Sequence, residues 1–171
     1  MIQANIILTG FMGTGKTTVG QLLADKTGYQ FIDTDARIEQ QVEKTITEIF
    51  STQGEEVFRQ METELVKQLA TESRRVIATG GGLILNPDNV VRLKQSGVIF
   101  CLTATPEEIL HRISQQQHNR PLLEKKHPLE EIKVLLEQRI TIYGQFIQIS
   151  TENKTPKSLV DEILNLHSPT I

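Results

Sequence analysis

Gly10-Phe-Met-Gly-Thr-Gly-Lys-Thr-Thr18 is the stretch best suited to hold a phosphate. Its Gly10-x-x-x-x-Gly15-Lys16-Thr17 spacing meets the P-loop rule, and it follows an apolar run (Asn5 to Thr9) and precedes a helical pattern, as that rule requires. Glycines let main-chain N–H groups close around phosphates where side chains would block them, and the helix N-terminus adds partial positive charge. Gly13, Thr14, Gly15, Lys16, Thr17 and Thr18 are therefore the expected nucleotide-binding residues. Lys16 would reach the β- and γ-phosphates, and the Thr17 hydroxyl would meet Mg²⁺ bridging them. A P-loop alone specifies a nucleoside triphosphate and no acceptor. No Asn-Lys-x-Asp guanine-reading segment occurs, and 171 residues are few for a motor.

Candidates for the acceptor side lie further on. Asp33-Thr34-Asp35 sits at the carboxyl end of a second strand-like run, where ligands of open α/β sheets gather. In an extended segment these carboxylates would point to opposite sides, one to the metal and one to an acceptor hydroxyl whose proton it could take. The competing reading is a helix N-cap. Phe58, Arg59 and Glu62 fall on a helix beginning near Gly54, with Arg59 and Glu62 spaced to pair and hold the guanidinium rigid for a carboxylate. A solvated ion pair is the plainer alternative. Gly80-Gly81-Gly82 ends a buried strand, and three glycines in succession suggest close backbone approach to a ligand, against an ordinary turn. Arg120 and Arg139 could neutralise charge at a phosphoryl-transfer site or simply be surface residues.

The elements that must carry these residues read as an alternation. Short apolar runs at Ile6–Leu8, Gln30–Ile32, Val76–Ala78, Val98–Leu102 and Phe146–Ile149 are separated by helical spacing, which predicts a parallel α/β sheet in a single domain. Thr105-Pro106-Glu107-Glu108 reads as a helix start with a capping box, and Thr155-Pro156 as another cap. The polar stretch 114–128, with two prolines and five basic or histidine residues, could close over a ligand as a lid. Cys101, the only cysteine, sits in an apolar run and reads as a core residue. Eighteen Lys and Arg against 21 Asp and Glu give a net charge of -3, so no general attraction to nucleic acid or acidic membranes is expected. With no signal-peptide pattern and no membrane-length apolar run, a cytoplasmic setting is expected. No heptad asks for a partner, so the expectation is a monomer.

Taken together the motifs resemble the shikimate kinases. The resemblance rests on the P-loop, Asp33-x-Asp35, Gly54-Glu55-x-x-Phe58-Arg59-x-x-Glu62, Gly80-Gly81-Gly82, Arg120-Pro121-Leu122-Leu123 and Arg139-x-x-x-Tyr143, and covers nearly the whole chain. It implies a nucleoside-monophosphate-kinase-like P-loop fold in three layers. That fold has a five-stranded parallel sheet flanked by helices, a substrate-binding region at about 33–61 and a lid at about 114–128. It implies ATP and Mg²⁺ as cofactors and phosphorylation of the 3-hydroxyl of shikimate on the way to chorismate and aromatic amino acids. Lys16, Asp35 and Arg120 would be catalytic, with Asp35 meeting the acceptor hydroxyls. Arg59, Arg139 and the Gly80-Gly81 backbone would grip the carboxylate and ring hydroxyls, and Phe50 and Phe58 would line the apolar side of the ring. Thr17 and Asp33 would support the metal, Arg120 the ATP phosphates, and Arg112 and Lys154 the adenine region. After Tyr143 the chain runs Gly144-Gln145-Phe146-Ile147, where the family tends to carry an acidic and then a small residue. Two other readings stand beside this one: a kinase for another hydroxylated acid such as gluconate, and an inactive ATP-binding relative acting through a partner.

Overall fold

The run Asn5–Gly10 forms β1 and is buried at every position, as befits the central strand of a sheet covered on both faces. In the computed structural model, which describes residues 4–115 and 125–167, it is followed by α1 (Lys16–Thr27), β2 (Gln30–Asp33), α2 (Thr34–Val42), α3 (Ile46–Gln53) and α4 (Glu55–Leu69). Then come β3 (Arg75–Ala78), a 3-10 turn (Leu83–Leu85), α5 (Pro87–Ser96), β4 (Gly97–Thr103), α6 (Pro106–Ser114), α7 (Pro128–Tyr143), β5 (Ile147–Ser150) and α8 (Pro156–His167). The strands are all parallel, in the order β2-β3-β1-β4-β5. The five apolar runs of the sequence are these strands, with Phe146 just ahead of β5. From β1 the chain winds outward to β2 and β3 on one side and later to β4 and β5 on the other. That reversal opens a crevice beyond the carboxyl end of β1, the usual ligand site of open sheets.

Alternation along β1 divides the core. Ile6 and Leu8 pack with Val19 and Leu23 of α1 and Leu159, Val160 and Ile163 of α8. Ile7, on the opposite face, packs with Leu65, Val66 and Leu69 of α4 and Val90 and Leu93 of α5. A third, smaller cluster joins Phe11 to Ile109 and Ile113 of α6 and Ile132 of α7. Cys101 is fully buried in β4, and burial pushes its thiol up to about 11, so it behaves as a core residue. Among the described residues no helix is long and apolar enough to cross a membrane.

One helix start differs from its sequence reading. The Thr105 side chain does accept from the Glu108 N–H at 3.3 Å, but the Thr105 N–H donates to Glu152 and the Glu108 carboxylate takes Arg112 instead, so the capping box does not close. Tertiary partners outcompete the local one. The unusual segment after Tyr143 is accommodated: Phe146 is buried, and Gln148 Nε2 donates to the carbonyls of Tyr143 (2.6 Å) and Phe146 (3.0 Å), sealing the end of α7.

Asn5 fastens the start of the central strand. Its fully buried side chain donates to the Glu72 carbonyl and accepts from the Arg75 N–H, both at 2.9 Å. Asn5→Ala leaves both main-chain groups unpaired, and is expected to destabilise the protein by about 2–4 kcal/mol. Urea denaturation would measure it.

Candidate active site

The phosphate loop bridges β1 and α1 at the mouth of the crevice. Gly15 caps α1 at φ 92°, a left-handed conformation, and makes no side-chain cap bond, so the first N–H groups of the helix face the cavity. Lys16 Nζ donates to the carbonyls of Gly10 (2.8 Å) and Phe11 (2.9 Å), which folds the lysine back over its own loop. The cavity, of about 400 Å³, is lined on this side by Gly13, Gly15, Lys16, Thr17 and Thr18. A second one of about 520 Å³ shares Gly13, Gly15 and Thr18 with it and extends past Thr14 to Arg112, Lys154 and Pro156. Arg112 is pinned there by Glu108 (2.6 Å) and Thr151 Oγ1 (2.9 Å), and Lys154 pairs with Glu162 at 2.7 Å.

Asp33 does both things the sequence offered as alternatives. Its Oδ1 accepts from the N–H groups of Asp35 (3.1 Å) and Ala36 (3.2 Å), capping α2. Its Oδ2 accepts from the Thr17 hydroxyl at 3.3 Å, facing the phosphate loop. The expectation of two carboxylates pointing apart from an extended segment is not met. Asp35 lies in the first turn of α2, and the helical turn brings both onto the same cavity.

The opposite wall is built around Gly80-Gly81-Gly82. A Cβ at Gly80 would overlap the Asp35 carboxylate, one at Gly82 would overlap the Arg59 guanidinium, and one at Gly81 would lie 3.5 Å from Arg139 Nη1. Three glycines thus bring one carboxylate and two guanidiniums around a single turn of backbone. Arg59 is held by Glu62 (Nη1, 2.8 Å) and by Glu55 (Nη2, 2.8 Å, and Nε, 3.2 Å). Glu62 is only 1 % exposed, and burial raises its pKa against the opposing pull of Arg59, so the pair is no solvated surface contact. The Gly80 N–H is already committed to Thr34 Oγ1 at 2.8 Å, so the amide free to meet a ligand from that part of the loop is that of Gly81.

Asp35 is the strained member of the set. Its Oδ1 is buried without a hydrogen-bond partner, and its pKa rises to about 6, chiefly through burial, with Asp33 and Glu39 pushing the same way and Lys16 and Arg59 opposing. Phe58 is 4 % exposed and Phe50 37 %, their rings 5.2 Å apart. Neither lines the cavity: they back Arg59, whose guanidinium lies 5.5 Å over the Phe58 ring. Arg120 and most of the expected lid fall in 116–124, outside the described residues.

Thr34 and Glu55 were not singled out by type. Glu55 had a usable signal, four residues before Arg59 on one helix face. Thr34 had none, because a threonine between two aspartates says nothing about a glycine forty-odd positions away. A desolvated carboxylate and two guanidiniums opposite a phosphate cradle can hold a small hydroxylated acid against a terminal phosphoryl group.

A family model described as shikimate kinase matches residues 12–167. The shikimate kinase of Thermodesulfovibrio yellowstonii is 47 % identical over 161 residues, which cover 94 % of this chain and 92 % of that protein. Among solved structures, the shikimate kinase from Acinetobacter baumannii in complex with shikimate superposes with a TM-score of 0.87 at 38 % identity, covering 96 % of this chain and 92 % of its own. A gluconokinase from Sinorhizobium meliloti, at 18 % identity and a TM-score of 0.60 over 97 % of this chain and 94 % of its own, shares the fold alone.

The buried carboxylate sets a pH dependence of stability. Asp35 binds its proton more tightly in the folded chain than in the unfolded one, so stability falls as pH rises from about 4 to about 6. Asp35→Asn removes that cost. The ligand-free variant is expected to be more stable than the parent above pH 6 by roughly 2–3 kcal/mol, with the gap closing toward pH 4. Thermal melts across this range would measure it. Gly80→Ala, which drives a methyl group into Asp35, is expected to retain the fold and ATP affinity while losing at least about 100-fold in turnover with acceptor.

Proposed function

Because the chain belongs to the shikimate kinase family, we propose that its cavity phosphorylates the 3-hydroxyl of shikimate with ATP through Asp35, Lys16 and the arginines around the glycine loop. The product is shikimate 3-phosphate, a precursor of chorismate and the aromatic amino acids. The observation that carries the assignment of residues is the convergence of Asp35, Arg59 and Arg139 on Gly80-Gly81-Gly82, across one cavity from Lys16.

Shikimate is a small ring with one carboxylate and three hydroxyls. Arg139, Arg59 and the Gly81 N–H suit the carboxylate and a neighbouring hydroxyl, since a guanidinium fork matches a carboxylate bidentately. Asp35 accepts a hydrogen bond from the 3-hydroxyl and takes its proton as the O3–P bond forms and the bond from the γ-phosphorus to the bridging β–γ oxygen breaks. Its raised pKa makes it a better proton acceptor than an ordinary aspartate, while leaving it ionised at neutral pH. Lys16 leaves the Gly10 and Phe11 carbonyls for the β- and γ-phosphates, and main-chain N–H groups at the start of α1 hold the phosphate oxygens. Adenine would sit in the adjoining cavity by Arg112 and Lys154. Arg120 is assigned to the ATP phosphates by its motif.

The Thr17 hydroxyl and Asp33 Oδ2 would hold Mg²⁺. Their pairing fits it: among the described residues no cluster of three His, Cys, Asp or Glu offers a protein cage, and Mg²⁺ at such sites takes few protein ligands beside phosphate and water. Bound there, the ion neutralises charge on the β- and γ-phosphate oxygens.

Release of ADP from ATP with and without shikimate tests this function. Release that depends on shikimate and is not supported by gluconate is expected; equal rates without shikimate would contradict it. Asp35→Asn should lower kcat by about 100- to 10,000-fold while ATP affinity stays within about twofold. In the parent, kcat/KM for shikimate should fall as pH drops below about 6, the range in which Asp35 takes up its proton.

A further inference from the structure

The two guanidiniums at the glycine loop are held in place by different means. Arg59 is fixed by two carboxylates. Among the described residues no carboxylate pairs with Arg139. Its Nη1 makes one long hydrogen bond, 3.4 Å, to the Tyr143 hydroxyl, and its guanidinium carbon lies 5.5 Å over the centre of the Phe11 ring. Phe11 belongs to the phosphate loop, between Gly10 and Gly13. Its carbonyl accepts from Lys16 Nζ (2.9 Å) and from the Thr14 hydroxyl (2.7 Å). Its side chain is 2 % exposed, packed with Ile109 and Ile113 of α6 and Ile132 of α7.

We propose that Phe11 is a positioning residue for the acceptor's carboxylate, its ring serving as the platform that aims the Arg139 guanidinium across the cavity. The choice of a ring is chemically apt. An ion pair would orient the arginine by using up N–H donors and charge that the substrate needs, whereas a π face attracts the cation and consumes no donor. The platform is rigid because its edge is set in the apolar cluster joining α6 and α7 and its main chain is set in the phosphate loop. The nucleotide cradle and the carboxylate grip therefore share one residue. This inference rests on the reading that Arg139 binds the carboxylate of shikimate.

The test compares the parent with Phe11→Leu, which keeps an apolar side chain but lacks a π face, and with phenylalanines carrying one to five ring fluorines introduced at position 11 alone. Fluorination weakens the face electrostatically at nearly constant shape, so it separates aiming from packing. The expected result is a KM for shikimate raised roughly three- to tenfold in Phe11→Leu and climbing stepwise with fluorine number, with KM for ATP and kcat within about twofold. In an Arg139→Ala background the same changes at Phe11 should have no further effect on shikimate KM. A parent-like shikimate KM throughout the fluorinated series would overturn the proposal, as would a loss in Phe11→Leu that falls equally on ATP and shikimate. A parent protein that does not turn over shikimate would instead contradict the proposed function itself, a result visible before any variant is made.

Discussion

The absence of side chains at Gly80, Gly81 and Gly82 is the constraint around which the site is arranged. A methyl group at the first would occupy the place of the Asp35 carboxylate, and one at the third that of the Arg59 guanidinium. Only bare backbone lets α2, α4 and α7 deliver charged groups to one point. The glycines are fixed in turn, since Thr34 Oγ1 holds the Gly80 N–H and the Thr79 N–H continues the sheet to the Leu8 carbonyl. The loop is thus an extension of β3, placed where strand order reverses beside the phosphate loop.

Charge at this point costs stability. Asp35 Oδ1 and Glu62 Oε1 are buried without hydrogen-bond partners, and both carboxylates have raised pKa values because burial disfavours their ionised forms. A folded chain selected for stability alone would not keep them. Their persistence beside a phosphate cradle is the pattern expected where preorganised electrostatics serve chemistry. The two large apolar clusters on either face of the sheet supply the stability that tolerates such groups.

Much of this was legible in the residues alone. The phosphate loop carries its own signature, and the five apolar runs marked the five strands. What could not be read was how single residues serve two ends. Asp33 caps a helix with one oxygen and meets Thr17 with the other, where the sequence offered these as rivals. Phe58 reads as a wall of the substrate pocket but lies behind Arg59. Phe11 and Thr34 act through contacts with Arg139 and Gly80, and such contacts leave no periodicity or spacing in the chain. The Thr105 capping box failed for a related reason: Glu152 and Arg112 arrive from elsewhere in the fold and take the groups the local rule had paired.

The most direct measurement is a carbon-13 NMR titration of the Asp35 side-chain carboxyl in the ligand-free protein. Confinement against Gly80 in a largely desolvated pocket predicts a midpoint at about 6. A midpoint near the ordinary aspartate value of about 4 would mean that water reaches this carboxylate freely, and would contradict the view that the glycine loop holds it dry and ready to accept a proton.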